Sequence, residues 1–317
     1  MDQKKHKFSA RSKEVRLFYI MVSPFILTFV LLKIFPMAYA LYLSFTNASG
    51  FNWDSIKFIG VKNYAKMLKD SEVWYSLGRT FFVALIYVPI QLILVNLISL
   101  LLTRNIKAIG FFRTVYYIPS IVPAVAMGMM WSQLYNKNSG FFNQVLGVFG
   151  ITVDWLGYEN VTASLIIMML WTLGLGLLVT IAGIKGVPAE LNEAAEIDGA
   201  GFFCRYFKIT LPLITPSNLY NLVMGIILAL QIYTQPILIT PPNGIGASNG
   251  LLGVPLKPNY LYVVNIYQQI FANQKYGYGL ALVWLLFVII VGLSVTVMAT
   301  SKKWVHYEVD QEGDKGQ

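Results

Sequence analysis

The sequence predicts an all-α membrane protein with six transmembrane helices. Of the 317 residues, 56% are hydrophobic and only 12% are charged, and the mean hydropathy is +0.59, which lies outside the range of soluble domains. The apolar residues form continuous runs of about twenty, the length that a helix needs to cross a bilayer, and they do not alternate as barrel strands do. The six predicted spans are residues 17–45, 80–103, 114–135, 161–184, 213–238 and 279–300.

The distribution of basic residues predicts the orientation of this membrane domain, which covers residues 17–300. Fifteen of the 24 Lys and Arg residues lie in the two tails, residues 1–16 and 301–317, and in the loops after the second and fourth spans. Eight lie in the other three loops. Because basic loops tend to stay in the cytoplasm, both termini and the long loop at 185–212 are expected there.

The first span follows the basic tail and resembles a signal peptide only superficially. Its small-residue triplet at 38–40 could mark a cleavage site, but the apolar run before it is too long for a signal peptide and is broken by Lys33 and Pro36. An uncleaved anchor is therefore favoured. Lys33 is the only charge within a predicted span, and we interpret it as reaching the outer interface; contact with an anionic substrate is the alternative.

The second span is preceded by an external loop at 46–79. The second span itself contains two amides, Gln91 and Asn96, which are about 140° apart by helical phase and are interpreted as packing groups. In the third span, Pro119 and Pro123 are expected to kink the helix or to delay its regular part. The loop that follows, at 136–160, is rich in glycine and aromatic residues, and a shallow interfacial segment is expected there.

The fourth span contains Gly174 and Gly176, which allow another helix to approach closely. Between the fifth and sixth spans lies a long outer segment at 239–276. Its many Gly and Pro residues argue against continuous secondary structure before about Val263. The sixth span is followed by the C-terminal tail.

The loop at 185–212, here called the docking loop, is predicted to contain a short helix outside the bilayer. Pro188 stands where a first helical turn would begin, and Glu190 and Glu193 put negative charge near the positive end of that helix. Gly199 is suited to end it. The small side chains of Ala194 and Ala195 would let another protein approach closely.

Several function classes are disfavoured by what the spans lack. All 15 acidic residues lie outside the spans, the two histidines lie in opposite tails, and the single cysteine lies in a loop. The sequence therefore offers no metal site and no catalytic residue within the membrane. The basic residues are too dispersed for a nucleic-acid site. The chain also has no phosphate-binding loop of the G-x-x-x-x-G-K-[ST] type, so it is expected to take its energy from a partner.

The docking loop carries a resemblance to a known family. Glu193-Ala194-Ala195, three residues, Gly199, nine residues and then Ile209-x-Leu211-Pro212 resembles the EAA loop of the membrane subunits of binding-protein-dependent ATP-binding-cassette importers. Residues 182–188 and Pro216 are similar to those of the MalF/UgpA-like carbohydrate permeases in particular. Four further segments are similar to that family, namely residues 60–64, 112–119, 267–271 and 276–279. The resemblance covers nearly the whole chain and is weak at 245–257, which looks expanded.

The resemblance implies the type I importer permease fold, called MetI-like, in a bacterial plasma membrane. It implies four kinds of partner: a second homologous permease subunit, a homodimeric ATPase, an extracytoplasmic solute-binding protein and a sugar substrate, all within membrane lipid. ATP and magnesium would be bound by the ATPase, so this chain would be a transport subunit without enzymatic activity or a cofactor of its own. The residues implied in ATPase coupling are Glu190, Glu193, Ala194, Ala195, Asp198 and Gly199.

A candidate substrate path lies in the fourth and fifth spans. On a continuous helix, five residues of the fifth span fall within an arc of about 80°, namely Asn221, Met224, Leu228, Gln231 and Gln235. Amides can both donate and accept hydrogen bonds, which suits the hydroxyls of a neutral sugar, although amides also tie neighbouring membrane helices together. The resemblance places Met224, Leu228 and Gln231 at the sugar site of the maltose permease, and only Gln231 keeps an amide. It places Trp171, Thr172 and Leu175 in the opposite wall, where the Trp171 ring could stack on a sugar face or, as aromatic residues in membrane helices more often do, serve packing or the interface.

Two alternatives remain open from the sequence. Within the family, the substrate could be glycerol phosphate or an anionic oligosaccharide, for which Lys33 is the only support inside the membrane. From a different class, the chain could be an ion-coupled secondary carrier, although such carriers commonly place ionisable groups at mid-membrane. Uptake that survives loss of the ATPase but collapses with the ion gradient would favour that carrier.

Overall fold

The computed structural model describes residues 2–50, 56–104, 107–239 and 255–306, with side chains from residue 15 onward. Within these ranges the chain is helical, and its extended pairing amounts to one antiparallel bridge between Thr46 and Phe58. The helices are α1 (Asp2–Phe29), α2 (Phe35–Ser44), α3 (Lys62–Lys69), α4 (Ser71–Leu102), α5 (Ile109–Tyr117), α6 (Ala124–Leu134), α7 (Phe141–Gly147), α8 (Val161–Leu170), α9 (Gly174–Gly186), α10 (Ala189–Ile197), α11 (Phe202–Arg205), α12 (Leu211–Leu213), α13 (Thr215–Leu230), α14 (Thr234–Leu238), α15 (Tyr262–Tyr267) and α16 (Tyr276–Ser301).

The predicted all-α membrane fold is confirmed; among the described residues three spans are single helical runs, and the number reaches six when each of three bent helix pairs is counted as one span. Val15–Ser44, Ser71–Leu102 and Tyr276–Ser301 are each long and apolar enough to cross a bilayer. The other three are bent pairs of helices, with bends of 99° between Ile109–Ser120 and Ala124–Leu134 and 45° between α8 and α9. The third bend, between Phe202–Leu213 and α13, is 69°.

The second span begins earlier than the sequence predicts. Helix α4 starts at Ser71, within the region predicted as an external loop. Asp70 caps it, since the carboxylate Oδ1 accepts a hydrogen bond from the backbone N–H of Glu72 at 3.0 Å. Such a cap satisfies one of the free donors of the first turn. Helix α3 lies within the same predicted external loop, so residues 62–102 are helical except at Asp70.

Prolines bend the third span, as the sequence predicts. The helices of the fourth and fifth spans are also interrupted, which is not among the predictions from the sequence. After α5 the chain forms a 3₁₀ turn at Ile118–Ser120, and Pro123 stands immediately before α6. The fourth span is interrupted at residues 171–173 and the fifth at 231–233. A single helix from 161 to 184, or from 213 to 238, is therefore wrong.

The chain divides into two compact units. The first comprises residues 1–69 and 269–284. Within it, the Asn63 side-chain amide donates to the carbonyls of Ser44 and Thr46, both at 2.8 Å, and the Tyr64 hydroxyl lies 2.7 Å from Ser44 Oγ. The carbonyls at the end of α2 have no partner within their helix. The segment at 60–64 therefore caps the C-terminal end of the first span by bonding its free carbonyls.

The second unit comprises residues 70–268 and 285–317, and its apolar core lies between α4, α6, α8, α13 and α14. Leu165, Met168 and Ala229 are fully buried there. The core is extended by the predicted interfacial segment at 136–160, which contains α7. Asn143 fixes that segment, because its amide donates to the carbonyls of Lys137 and Val153 at 2.9 and 2.8 Å.

Part of the outer segment between the fifth and sixth spans lies outside the described residues, including the glycines and prolines at 241–253, as do residues 307–317 of the C-terminal tail. The described part, from residue 255, forms a 3₁₀ turn at Lys257–Asn259 before α15 begins at Tyr262.

Candidate functional site

The docking loop contains the short helix that the sequence predicts, α10 (Ala189–Ile197). Pro188 occupies the N-cap position and Glu190 lies in the first turn. The helix ends where Gly199 adopts a left-handed conformation, with φ +78°. The N–H groups of Gly199 and Ala200 then bond the carbonyls of Glu196 and Ala195, at 3.0 and 2.8 Å. Glycine favours this ending because it has no Cβ to clash in the left-handed region.

Helix α10 presents both acidic and apolar side chains to its surroundings. Of the residues predicted to couple the chain to an ATPase, Glu190, Glu193, Ala194, Asp198 and Gly199 are exposed, and Ala195 is half-buried. Ile197 is 87% exposed and Leu191 46%. The ion pairs within the described residues do not include Glu190, Glu193 or Asp198. Exposed apolar side chains next to unpaired carboxylates are typical of a surface that another protein covers.

The two helices that flank the docking loop are packed tightly against each other. A Cβ on Gly183 of α9 would lie 2.4 Å from Ser217 Oγ of α13. One turn or so away, Asn221 of α13 donates to Thr180 Oγ1 at 2.8 Å and to the Gly176 carbonyl at 3.4 Å. Small residues with interhelical hydrogen bonds are the usual means of close packing in membranes. Helix α9 precedes α10 in the chain and helix α13 follows it. The two therefore form one tightly packed pair, here called the joint between α9 and α13.

The predicted substrate-path stripe of the fifth span is not one helical face. Asn221 is 2% exposed and occupied by the contacts to α9. Helix α13 ends at Leu230, so Gln231 lies in the break and Gln235 in α14, and the assumed helical phase does not extend to them. Gln231 is exposed, Leu228 is 53% exposed, and Met224 and Gln235 are half-buried.

The candidate residues of the fourth span lie at its break. Trp171 and Thr172 are half-buried in the break, and Leu175, in the first turn of α9, is 61% exposed. The Trp171 ring meets Trp131 edge-on, with centroids 5.9 Å apart. The Trp131 indole N–H is buried and has no hydrogen-bond partner among the described residues.

The sequence reasoning missed a polar cluster at the N-terminal end of α4. Lys257 binds both carboxylate oxygens of Glu72 at 2.7 and 2.8 Å. Arg79 donates to the Pro258 carbonyl and to Thr162 Oγ1, both at 2.8 Å. Burial raises the pKa of Tyr260, and the carboxylates of Glu72 and Asp70 raise it further, so its hydroxyl stays protonated. Nothing in the sequence pairs residues so far apart, and only the fold shows the cluster.

A second set of contacts places several loops on one side of the second unit. The Arg104 guanidinium lies 4.3 Å from the ring centroid of Phe202, and Arg113 donates to the Leu102 carbonyl at 2.7 Å. After α16, the His306 N–H donates to Thr215 Oγ1 at 3.0 Å, at the start of α13. The loop after α4, the docking loop and the end of the sixth span therefore lie at the same end of the helices.

Comparison with known proteins identifies the family. The family model for the binding-protein-dependent transport system inner membrane component matches residues 65–303, well over half of the chain. The chain belongs to this family. It is thus a membrane-spanning permease component of a transport system and not the component that hydrolyses ATP.

Similar proteins include several sugar permeases. The chain is 35% identical over 299 residues to the probable ABC transporter permease protein YesP of Bacillus subtilis, covering 93% of each chain. It is 29% identical to the trehalose/maltose transport system permease protein MalF of Thermococcus litoralis, covering 92% of this chain and 95% of that one. It is 31% identical to the diacetylchitobiose uptake system permease protein NgcF of Streptomyces coelicolor, over 80% and 73%.

The fold is also similar to a solved structure, that of a bacterial ABC transporter involved in the import of the acidic polysaccharide alginate. The TM-score is 0.79 at 19% identity, and the match covers 94% of this chain and 99% of the other. At this identity the match shows the fold alone. It agrees with the importer permease fold that the sequence predicts.

Proposed function

We propose that this chain is one of two permease subunits of an ATP-driven ABC importer for an oligosaccharide or related sugar. The observation that carries the proposal is α10, an exposed helix with a glycine ending that lies between α9 and α13 in the chain, and whose Glu190 and Glu193 form no ion pair among the described residues. Several similar proteins are named as permeases for sugars of this kind. The second permease subunit, a homodimeric ATPase with its ATP and magnesium, and an extracytoplasmic solute-binding protein complete the proposed importer.

In the proposed topology, both termini and the docking loop lie in the cytoplasm of a bacterial cell. Support comes from the basic residues of these regions and from the contact between His306 and Thr215, which holds the end of the sixth span beside the docking loop. The ATPase would then meet Glu193 from the side on which ATP is available. Ala194 and Ala195 would give close packing, and Asp198 and Gly199 would form the turn that orients the helix.

The substrate path is proposed to run past the breaks in the fourth and fifth spans. Backbone without regular helix is tolerated at membrane depth only where protein buries it or where it lines a water-filled cavity. Trp171 and Thr172 lie at one break and Gln231 at the other, with Gln231 exposed. An aromatic face and an amide are the groups that bind the apolar face and the hydroxyls of a neutral sugar.

The test is a pull-down from detergent with Glu193→Lys. We expect the native chain to co-purify with an ATPase and a second permease, and Glu193→Lys to lose most of the ATPase because a cation now faces the basic surface that the carboxylate would contact. Glu159→Lys makes the same charge change at an exposed residue in another loop and should retain the ATPase. A chain that purifies alone and transports without ATP would contradict the proposal and support an ion-coupled carrier.

A further inference from the structure

We propose that Arg205 is a positioning residue, which fixes the docking helix α10 to helix α4 by way of α11, so that movement of the ATPase is transmitted to the second span as well as to the fourth and fifth. The inference rests on the proposed coupling role of α10. It adds a second connection between that helix and the membrane domain. Arg205 and Glu196, which make this connection, are not among the residues that the EAA-like pattern specifies.

The first part of the argument is that α10 needs an additional contact. Gly199 ends the helix in the left-handed region and Gly201 follows two residues later in an extended conformation. A segment with glycines on both sides of Ala200 has many accessible backbone conformations. With the chain alone joining them, α10 would pivot at residues 199–201 and its movement would not reach α11 intact.

An ion pair crosses this flexible segment. Arg205, the last residue of α11, donates through its guanidinium to the carboxylate of Glu196, in the last turn of α10. The Arg205 side chain is 23% exposed and that of Glu196 69%. Because the guanidinium is partly shielded from water, the attraction is screened less than that of a fully exposed pair.

Helix α11 is in turn attached to α4. The Arg104 guanidinium lies over the ring of Phe202, the first residue of α11, with 4.3 Å to the ring centroid. Tyr206, next to Arg205, is buried, and its hydroxyl donates to Asn96 Oδ1 at 3.5 Å. The Asn96 amide donates to Asn218 Oδ1 of α13 at 2.8 Å. The connection therefore runs from α10 through α11 to α4 and on to α13.

The test uses the complete importer in proteoliposomes and measures substrate imported per ATP hydrolysed. Arg205→Glu places two carboxylates together, and we expect the ratio to fall at least fivefold while the ATPase still co-purifies. The reciprocal pair Glu196→Arg with Arg205→Glu restores the attraction and should recover at least half of the native ratio. Lys208→Glu, an equal charge change at an exposed side chain three residues further on, should leave the ratio unchanged.

The outcomes separate this inference from the proposed function. If the native complex does not transport with ATP, the proposed function fails. If the native complex transports and Arg205→Glu keeps the native ratio, or the charge-exchanged pair fails to recover it, only the inference about Arg205 fails. A merely structural role for Arg205 would lower the amount of folded complex without changing the ratio, which would also overturn the inference.

Discussion

The joint between α9 and α13 should depend on the shorter of its two hydrogen bonds from Asn221, the one to Thr180. Both side chains are buried, at 2% and 0% exposure, and the donor and acceptor are 2.8 Å apart. Thr180→Val removes the hydroxyl and conserves the shape of the side chain. The Asn221 amide then retains only the Gly176 carbonyl, at 3.4 Å.

The expected magnitude follows from the loss of that partner. An interhelical hydrogen bond in a membrane is worth about 0.6 kcal/mol on average and up to about 1.7, and leaving a buried polar group without its partner costs about 1 to 3 kcal/mol. We therefore expect Thr180→Val and Asn221→Ala each to lower the free energy of unfolding by about 1 to 2 kcal/mol. Because they remove the same bond, the double variant should lose less than the sum, with a coupling of about 0.6 to 1.7 kcal/mol.

The assay is unfolding of the purified chain in mixed micelles with a rising fraction of SDS. Thr296→Val is the matched control, because its hydroxyl bonds a carbonyl of its own helix, Gly292, at 2.7 Å and is exposed. Effects of Thr180→Val and Asn221→Ala that add to within about 0.3 kcal/mol would refute the reasoning. So would an Asn221→Ala variant of native stability whose sugar preference is altered, since Asn221 would then serve the substrate path instead of the joint.

The remaining predictions concern two glycines of the docking loop and its flanking helix. Gly183→Leu should reduce the yield of folded protein in size-exclusion chromatography, because its Cβ would lie 2.4 Å from Ser217 Oγ; Gly186→Leu, with open space around it, is the control and should fold normally. Gly199→Val should weaken ATPase co-purification, because a β-branched residue at φ +78° costs about 1 to 2 kcal/mol. Gly199→Asn should bind more ATPase than Gly199→Val, since asparagine tolerates this region.

The number of spans and the docking helix could be predicted from the sequence because both depend on local signals. Apolar run length sets the spans, and Pro188 and Gly199 bound α10. The early start of α4 also has a local signal in the sequence. Asp70 followed by Ser71 and Glu72 is a helix-capping pattern, whereas the mixed charge of residues 71–79 favours a loop.

The breaks in the fourth and fifth spans were missed for different reasons. Pro236 signals the second break, since a proline inside a continuous helix lacks the N–H that would bond four residues back. Restarting the helix at Thr234 puts Pro236 in a first turn, where that N–H would be free in any case. The break at 171–173 contains no proline and depends on packing. A Cβ on Gly174 would lie 2.7 Å from Ser120 Oγ, a contact that only the fold can show.

The position of the breaks bears on how the proposed transport step would work. The halves of the fourth and fifth spans that adjoin the docking loop, α9 and α13, are joined to each other through Asn221 and Thr180. The halves beyond the breaks, α8 and α14, pack in the apolar core, to which α13 also contributes Ala229. A movement imposed on α10 would therefore carry α9 and α13 together and bend the chain at the two breaks. Trp171 and Gln231 lie at these breaks, so the geometry of the proposed sugar contacts would change with that bend.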